Sequence, residues 1–260
     1  MAFLFFFVSC LCLLLLIVRS STETRTCPVT TRTGFVTLFN PPSQPLTTVS
    51  SQPWIFTIDN FLTPSECKTL ISLASSSGLT QANVGDKKRR EEKGTYDSDH
   101  RRCSSLNLPS SRTPIKRVRE KCASLFENIS VEHLEVTQIS RYIKGDFFRV
   151  HDDGIHPYYS SHTKKMCSSP PHCNRVATIF VYLNDVEEGG ETRFTQTDPE
   201  IFIKPKKGMA VLFFPAKMPD DEKDPGGLAE GLMHESVTAV DEKWILQQFV
   251  WSGKYIGVGA

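Results

Sequence analysis

The chain reads as a mainly β domain, an antiparallel sandwich or jelly roll with helices packed on one face. Three observations predict this. Short β-branched and aromatic runs fill the C-terminal half, glycine- and proline-rich turns separate them, and two helical segments come before them.

The elements follow in order. Trp54-Ile55-Phe56-Thr57-Ile58 has strand composition. Thr63-Pro64-Ser65-Glu66 is a capping box with proline at the first helical position, so a helix is expected from there to about Ser77, closed by Gly78. A second helix is expected from Thr113-Pro114, with Ile115, Val118, Cys122, Leu125 and Phe126 along the face that packs on a sheet. From His133 onward the runs Leu134 to Tyr142, Val176 to Leu183, Glu191 to Phe194, Ile201 to Lys204, Met209 to Phe214 and Ile245 to Trp251 read as strands. Turns are expected at Gly145-Asp146, Gly189-Gly190, Pro205-Lys206-Lys207-Gly208 and Asp224-Pro225-Gly226-Gly227. No internal repeat is evident.

The 260 residues, 39% of them hydrophobic, suffice for one sizeable domain. A formal net charge of +1 gives no support for a broad nucleic-acid-binding surface. Residues Ala2 to Val18 are almost wholly apolar and are followed by Arg19-Ser20-Ser21, so residues 1–20 are read as a signal peptide or signal-anchor. Residues 21–53 are rich in Ser, Thr and Pro and are read as a linker, leaving 54–255 as the folded domain. The expected location is the secretory pathway: the ER or Golgi lumen or outside the cell, membrane-bound only through the N-terminal segment if it stays uncleaved. Cys10 and Cys12 lie in the leader. The remaining Cys27, Cys67, Cys103, Cys122, Cys167 and Cys173 form an even set that suits disulfides in an oxidising compartment. Asn128-Ile129-Ser130 is a glycosylation sequon. The charge run Asp86 to Lys93 is read as a solvated loop.

The chemistry is expected at His151-Asp152-Asp153. On an extended segment residues i and i+2 face the same way, so an imidazole and a carboxylate can converge on one metal ion. A third ligand must come from elsewhere, and His234 is the candidate. Two histidines and one carboxylate make the facial triad of non-haem iron(II) oxygenases, with coordination positions left open.

From Phe56 to Trp251 the chain resembles the catalytic domain of the prolyl 4-hydroxylase family, in its compact plant and algal form. The residues that carry the resemblance are ordered along the chain: Asp59-Asn60-Phe61-Leu62-Thr63 with Glu66-Cys67, then Arg102-Cys103-Ser104-Ser105, where the family has Thr at the second position. Next come Arg141-Tyr142, Gly145 and His151-x-Asp153, then the long stretch from Val176 to Thr192, then Lys204 to Gly208 and Leu212-Phe213-Phe214. The resemblance implies a double-stranded β-helix, the cupin-like jelly roll, that uses iron(II), 2-oxoglutarate, O₂ and L-ascorbate to hydroxylate peptidyl-proline. It implies His151, Asp153 and His234 as iron ligands and catalytic centre. Tyr142, nine residues before the first histidine, and Lys243 are implied as partners of the far carboxylate of 2-oxoglutarate, with Tyr182 lining the same pocket. Related halogenases lack the carboxylate ligand, so Asp153 points to hydroxylation. Two departures stand out: His234-Glu235-Ser236-Val237 differs from the family's usual residues, and Lys243 follows His234 by one residue fewer than in the commonest form. A shortened turn at Val240-Asp241-Glu242 is expected to absorb that difference.

Between the metal motif and the Val176 strand lie His156, His162, Cys167, His172 and Cys173. Their spacing fits no usual zinc-finger pattern, and a Cys167–Cys173 disulfide is the expectation. The substrate reading is a proline-rich peptide or protein, whose polyproline II conformation suits a groove. The alternatives are the same chemistry on a lysyl residue or small molecule, and a non-catalytic secreted jelly-roll binding module.

Overall fold

The structure is a computed structural model that describes residues 46–82, 99–154, 174–216 and 229–255. The predicted leader, the linker up to residue 45, the Asp86 to Lys93 run, the His156 to Cys173 segment and the Asp224 to Gly227 turn lie outside the described residues. So does Cys27.

Among the described residues there are two α-helices, α1 (Pro64–Ser77) and α2 (Thr113–Ala123). The strands before the helices and between them are β1 (Thr47–Ser51), β2 (Trp54–Ile58), β3 (Thr80–Gln81), β4 (Arg101–Arg102) and β5 (Ser104–Leu108). Beyond α2 come β6 (Thr137–Tyr142), β7 (Phe147–His151), β8 (Arg175–Tyr182), β9 (Thr192–Phe194), β10 (Ile201–Ile203), β11 (Ala210–Phe213), β12 (His234–Ser236) and β13 (Lys243–Trp251). They form an eight-stranded sheet, ordered β1-β2-β11-β8-β13-β6-β5-β3, and a five-stranded sheet, ordered β10-β9-β12-β7-β4. Every pairing is antiparallel. Two facing antiparallel sheets with helices behind the larger one make the predicted jelly roll.

The alternation of side chains builds two cores from the large sheet. On its outer face Ile139, Ile179, Val181 and Leu246 pack against Leu70 and Ala74 of α1 and Ile115, Val118 and Cys122 of α2. On its inner face Ile55, Phe180, Tyr182, Val211 and Phe213 meet Phe194 and Ile203 of the small sheet. Strand β8 feeds both cores, which explains why every residue from Val176 to Tyr182 is buried and the sequence does not alternate. Each large apolar side chain sealed in this way contributes about 1.5–3 kcal/mol.

The helices follow their sequence signals. At α1 the Thr63 hydroxyl accepts from the Glu66 amide and the Glu66 carboxylate accepts from the Thr63 amide, while Gly78 ends the helix with φ 84°. Leu125 and Phe126 lie just past α2 but stay buried in the same core.

Two expectations need correction. The folded sheet begins at Thr47, inside the predicted linker, because β1 pairs with β2. That strand is Thr/Ser-rich and mostly exposed, held by its backbone ladder rather than by burial, so hydrophobic patterning does not reveal it. Cys67, Cys103 and Cys122 are buried free thiols, so the predicted disulfide set does not include them. Cys67 and Cys122 face the core from α1 and α2 as small apolar residues. The sequon Asn128 is exposed.

Candidate active site

The site lies between the sheets, where β7 and β12 pair with His151 directly opposite His234. The two imidazole centroids are 4.4 Å apart. Asp153 sits in a bend after β7 has ended, so its approach to His151 comes from a turn and not from the expected strand alternation. One donor atom from each of His151, Asp153 and His234 lies within 4.8 Å of the others. Asp153 Oδ1 is 3.7 Å from His151 Nε2, and Oδ2 is 3.6 Å from His234 Nε2. These gaps are too long for hydrogen bonds, but they suit donors sharing one ion, which lie roughly 3–4 Å apart when each is about 2 Å from the metal.

Backbone carbonyls fix both rings. His151 Nδ1 is 2.8 Å from the Arg149 carbonyl and His234 Nδ1 is 2.9 Å from the Leu232 carbonyl. A carbonyl only accepts, so each Nδ1 carries the proton and each Nε2 lone pair faces inward. Burial, together with the neighbouring His234, holds the His151 imidazole well below the usual histidine range and therefore neutral. The ring of Phe148 stacks on His151 at 3.6 Å. Asp153 is oriented by Thr178, whose hydroxyl donates to its Oδ2 at 3.0 Å.

Lys243 enters the same space from the first residue of β13. It is 1% exposed, and its ammonium donates to the Gly190 carbonyl at 2.7 Å and to the Ser236 hydroxyl. The shortened loop after His234 therefore leaves Lys243 pointing inward. Gly190, at φ 71°, is what lets that carbonyl approach, since a Cβ there would meet Lys243 Cδ at 3.3 Å. Burial pushes the Lys243 ammonium down to about 7. Tyr142 pairs with Lys243 across the β6–β13 ladder, and Lys243 Nζ lies 4.7 Å above its ring. Burial raises the Tyr142 phenol, with Cys103 and Arg101 beside it. Tyr182 is fully buried one strand away. Its hydroxyl donates to the Ile203 carbonyl at 3.1 Å and is 2.8 Å from Thr192 Oγ1, so it braces the wall of the inner core.

Several residues at the site were missed by sequence reasoning. Ser236 and Thr178 contact Lys243 and Asp153. Arg175 reaches the Asp153 carbonyl at 3.4 Å, is gripped through two 2.9 Å bonds by Glu135, and lies 3.6 Å over Phe249. Trp251 donates to the same Glu135 carboxylate. Arg101 bridges β4 to β6 above Phe148. None has a motif of its own, because each matters through a partner far along the chain.

The sequence profile of the 2OG-Fe(II) oxygenase superfamily matches residues 137–251, the span that contains all three metal-donor residues. Among curated relatives, Prolyl 4-hydroxylase 2 of Arabidopsis thaliana is 31% identical over 78% of this chain and 68% of its own length. Prolyl 4-hydroxylase 1 of the same plant is 32% identical over 77% of this chain and 71% of its own. The chain belongs to the prolyl 4-hydroxylase family of 2OG-Fe(II) oxygenases. It spans about two thirds of such relatives, covering 65% of Probable prolyl 4-hydroxylase 10, also of Arabidopsis thaliana, at 32% identity over 70% of this chain. A solved structure of similar fold is the 2OG complex of the viral collagen prolyl hydroxylase of Paramecium bursaria Chlorella virus-1. It is 25% identical, with a TM-score of 0.56 over 78% of this chain and 98% of the viral one. The superfamily uses iron(II), 2-oxoglutarate and O₂, and the donor set here fits that ion. Two imidazoles and one carboxylate would hold the ion and leave coordination positions open for the cosubstrate and O₂.

Proposed function

We propose that this chain is a 2-oxoglutarate-dependent dioxygenase that hydroxylates peptidyl-proline in proteins of the secretory pathway. The observation that carries the reading is the convergence of His151, Asp153 and His234 beside a buried Lys243 that forms no ion pair among the described residues. His151, Asp153 and His234 would hold the iron. Ser236 lies two residues from His234 on β12, and Lys243 contacts it, which sets the ammonium roughly 7 Å along the strand from the metal donors. That is the span of a five-carbon diacid. Lys243, Tyr142 and Ser236 would then receive the far carboxylate of 2-oxoglutarate by charge and hydrogen bonds.

When bound, iron(II) with 2-oxoglutarate and O₂ supplies the oxidant that hydroxylates a C–H bond, with succinate and CO₂ as co-products. The protein's own residues do the rest. The carbonyls behind His151 and His234 hold both rings aimed, and Thr178 fixes the rotation of Asp153. The aromatic wall of Phe180, Phe194 and Phe213 keeps water from the inner face.

Mass spectrometry tests the reading. Proline-rich peptides are incubated with the full chain, iron(II), 2-oxoglutarate and ascorbate, with His151→Ala as control. A gain of one oxygen mapped to proline, absent from the control, is expected. Succinate above the control without peptide oxidation would move the substrate to a lysyl residue or small molecule. No turnover and no 2-oxoglutarate binding by folded, metal-loaded protein would leave a binding module.

A further inference from the structure

Arg101 has the burial of a core residue and the charge of a surface one. It is 8% exposed, and it starts from β4 at the edge of the small sheet, opposite Phe148. Its guanidinium crosses to the large sheet, where Nη2 donates to Gln138 Oε1 at 3.2 Å and to Ser140 Oγ at 3.3 Å. Its Nε donates to Cys103 Sγ at 3.2 Å. Gln138, Ser140 and Tyr142 alternate along β6, so all three share the inner face, and Arg101 stands on the same wall as Tyr142. Its guanidinium carbon lies 4.5 Å from the centroid of Phe148, the ring that stacks on His151.

Gln138 and Ser140 carry no charge, and among the described residues no carboxylate forms an ion pair with Arg101. Other buried arginines here are neutralised or saturated. Glu135 grips Arg175 at both ends, and Arg119 donates to the carbonyls of Val131, Leu134 and Glu135. A buried cation left with neutral partners keeps a large desolvation cost, which an arriving anion would offset. Lys243 likewise has only a carbonyl and a hydroxyl as direct hydrogen-bond partners among the described residues, and it lies over the ring of Tyr142. The two cations therefore border one residue from different strands. Arg101 lies one to two residue pairs along β6 from the Tyr142–Lys243 pair, on the Gln138 side.

We propose that Arg101 is a second cationic contact for the cosubstrate, acting with Lys243 so that the dianion lies between two positive charges. This inference rests on the 2-oxoglutarate reading above. The guanidinium keeps its charge at any working pH and supplies a fixed positive end.

Calorimetric titration of 2-oxoglutarate into the Mn(II)-loaded full chain under argon tests it. Arg101→Gln is expected to weaken binding roughly 10- to 100-fold, as loss of a charge-assisted hydrogen bond would. Arg101→Lys is expected to recover most of it, because Lys restores charge without the fork that braces Gln138, Ser140 and Phe148. Mn(II) affinity should stay level across the three proteins. Should Arg101→Gln not fold, Ser140→Asp supplies Arg101 with an internal counterion, and comparable weakening is expected. Wild-type affinity in Arg101→Gln or in Ser140→Asp overturns the inference while leaving the cosubstrate reading intact. Equal loss in the Gln and Lys variants, or a parallel loss of Mn(II) affinity, makes Arg101 a structural brace and overturns it as well. Absence of 2-oxoglutarate binding by the wild-type chain removes the reading and this inference together.

Discussion

At the scale of single residues, the site depends on groups whose ordinary behaviour burial has changed. Lys243 shows this most directly. Its ammonium falls from an ordinary 10.5 to about 7 because it is sealed from water. The unfolded chain keeps that proton to about 10.5, whereas the folded protein releases it near 7, so unfolding takes up a proton in between. Without ligand, stability therefore rises with pH across this window, and the burial cost is felt in full below it. Relative to Lys243→Met, the wild-type unfolding free energy should increase by about 2 kcal/mol from pH 7 to pH 9, read by urea denaturation at each pH. A flat difference would mean that Lys243 is not buried as a lone cation. A carboxylate bound beside Nζ reverses the shift, since it favours the charged amine. His151 shows the complementary case. Burial and His234 keep it neutral, the form a metal requires.

At the scale of elements, strand pairing and caps place the chemistry. The β7–β12 ladder sets His151 opposite His234, and the β6–β13 ladder sets Tyr142 opposite Lys243. Helix α1 buttresses the large sheet from behind, and its capping box is far from the metal donors. Thr63→Ala removes the hydroxyl that accepts from the Glu66 amide. The expected cost is about 1 kcal/mol, measured by chemical denaturation, with 2-oxoglutarate affinity unchanged. A large fall in affinity would show that α1 couples to the site. Much at this scale was legible in advance. The span of α1, its cap and the β2 and β8 strands follow from local signals. The strands β3, β4 and β12 were not legible, because two or three residues without a β-branched or aromatic run are too few for a periodicity to register.

At the scale of the whole molecule, a metal held by His151, Asp153 and His234 would tie β7, the bend after it and β12 into one unit. Binding only the folded form stabilises it by mass action, by ~2.7 kcal/mol at a hundredfold excess over the dissociation constant. For a domain of this size that corresponds to a rise in melting temperature on the order of 5–10 °C. Differential scanning fluorimetry with Mn(II) should show the rise in wild type and not in His234→Ala. An equal rise in both would place the ion elsewhere.

The jelly roll, both helices and the three candidate metal donors could be read from the chain alone. Those features rest on local spacing, caps and hydrophobic period, or on an ordered set of motifs, all of which are written along the chain. It took the folded chain to show that Asp153 approaches from a bend, that Lys243 points inward despite its shortened spacing, and that Arg101, Arg175 and Ser236 border the site. The reason is physical. A buried cation or a hydroxyl partner takes its meaning from groups on other strands, and strand pairing, not sequence proximity, brings those groups within hydrogen-bond reach.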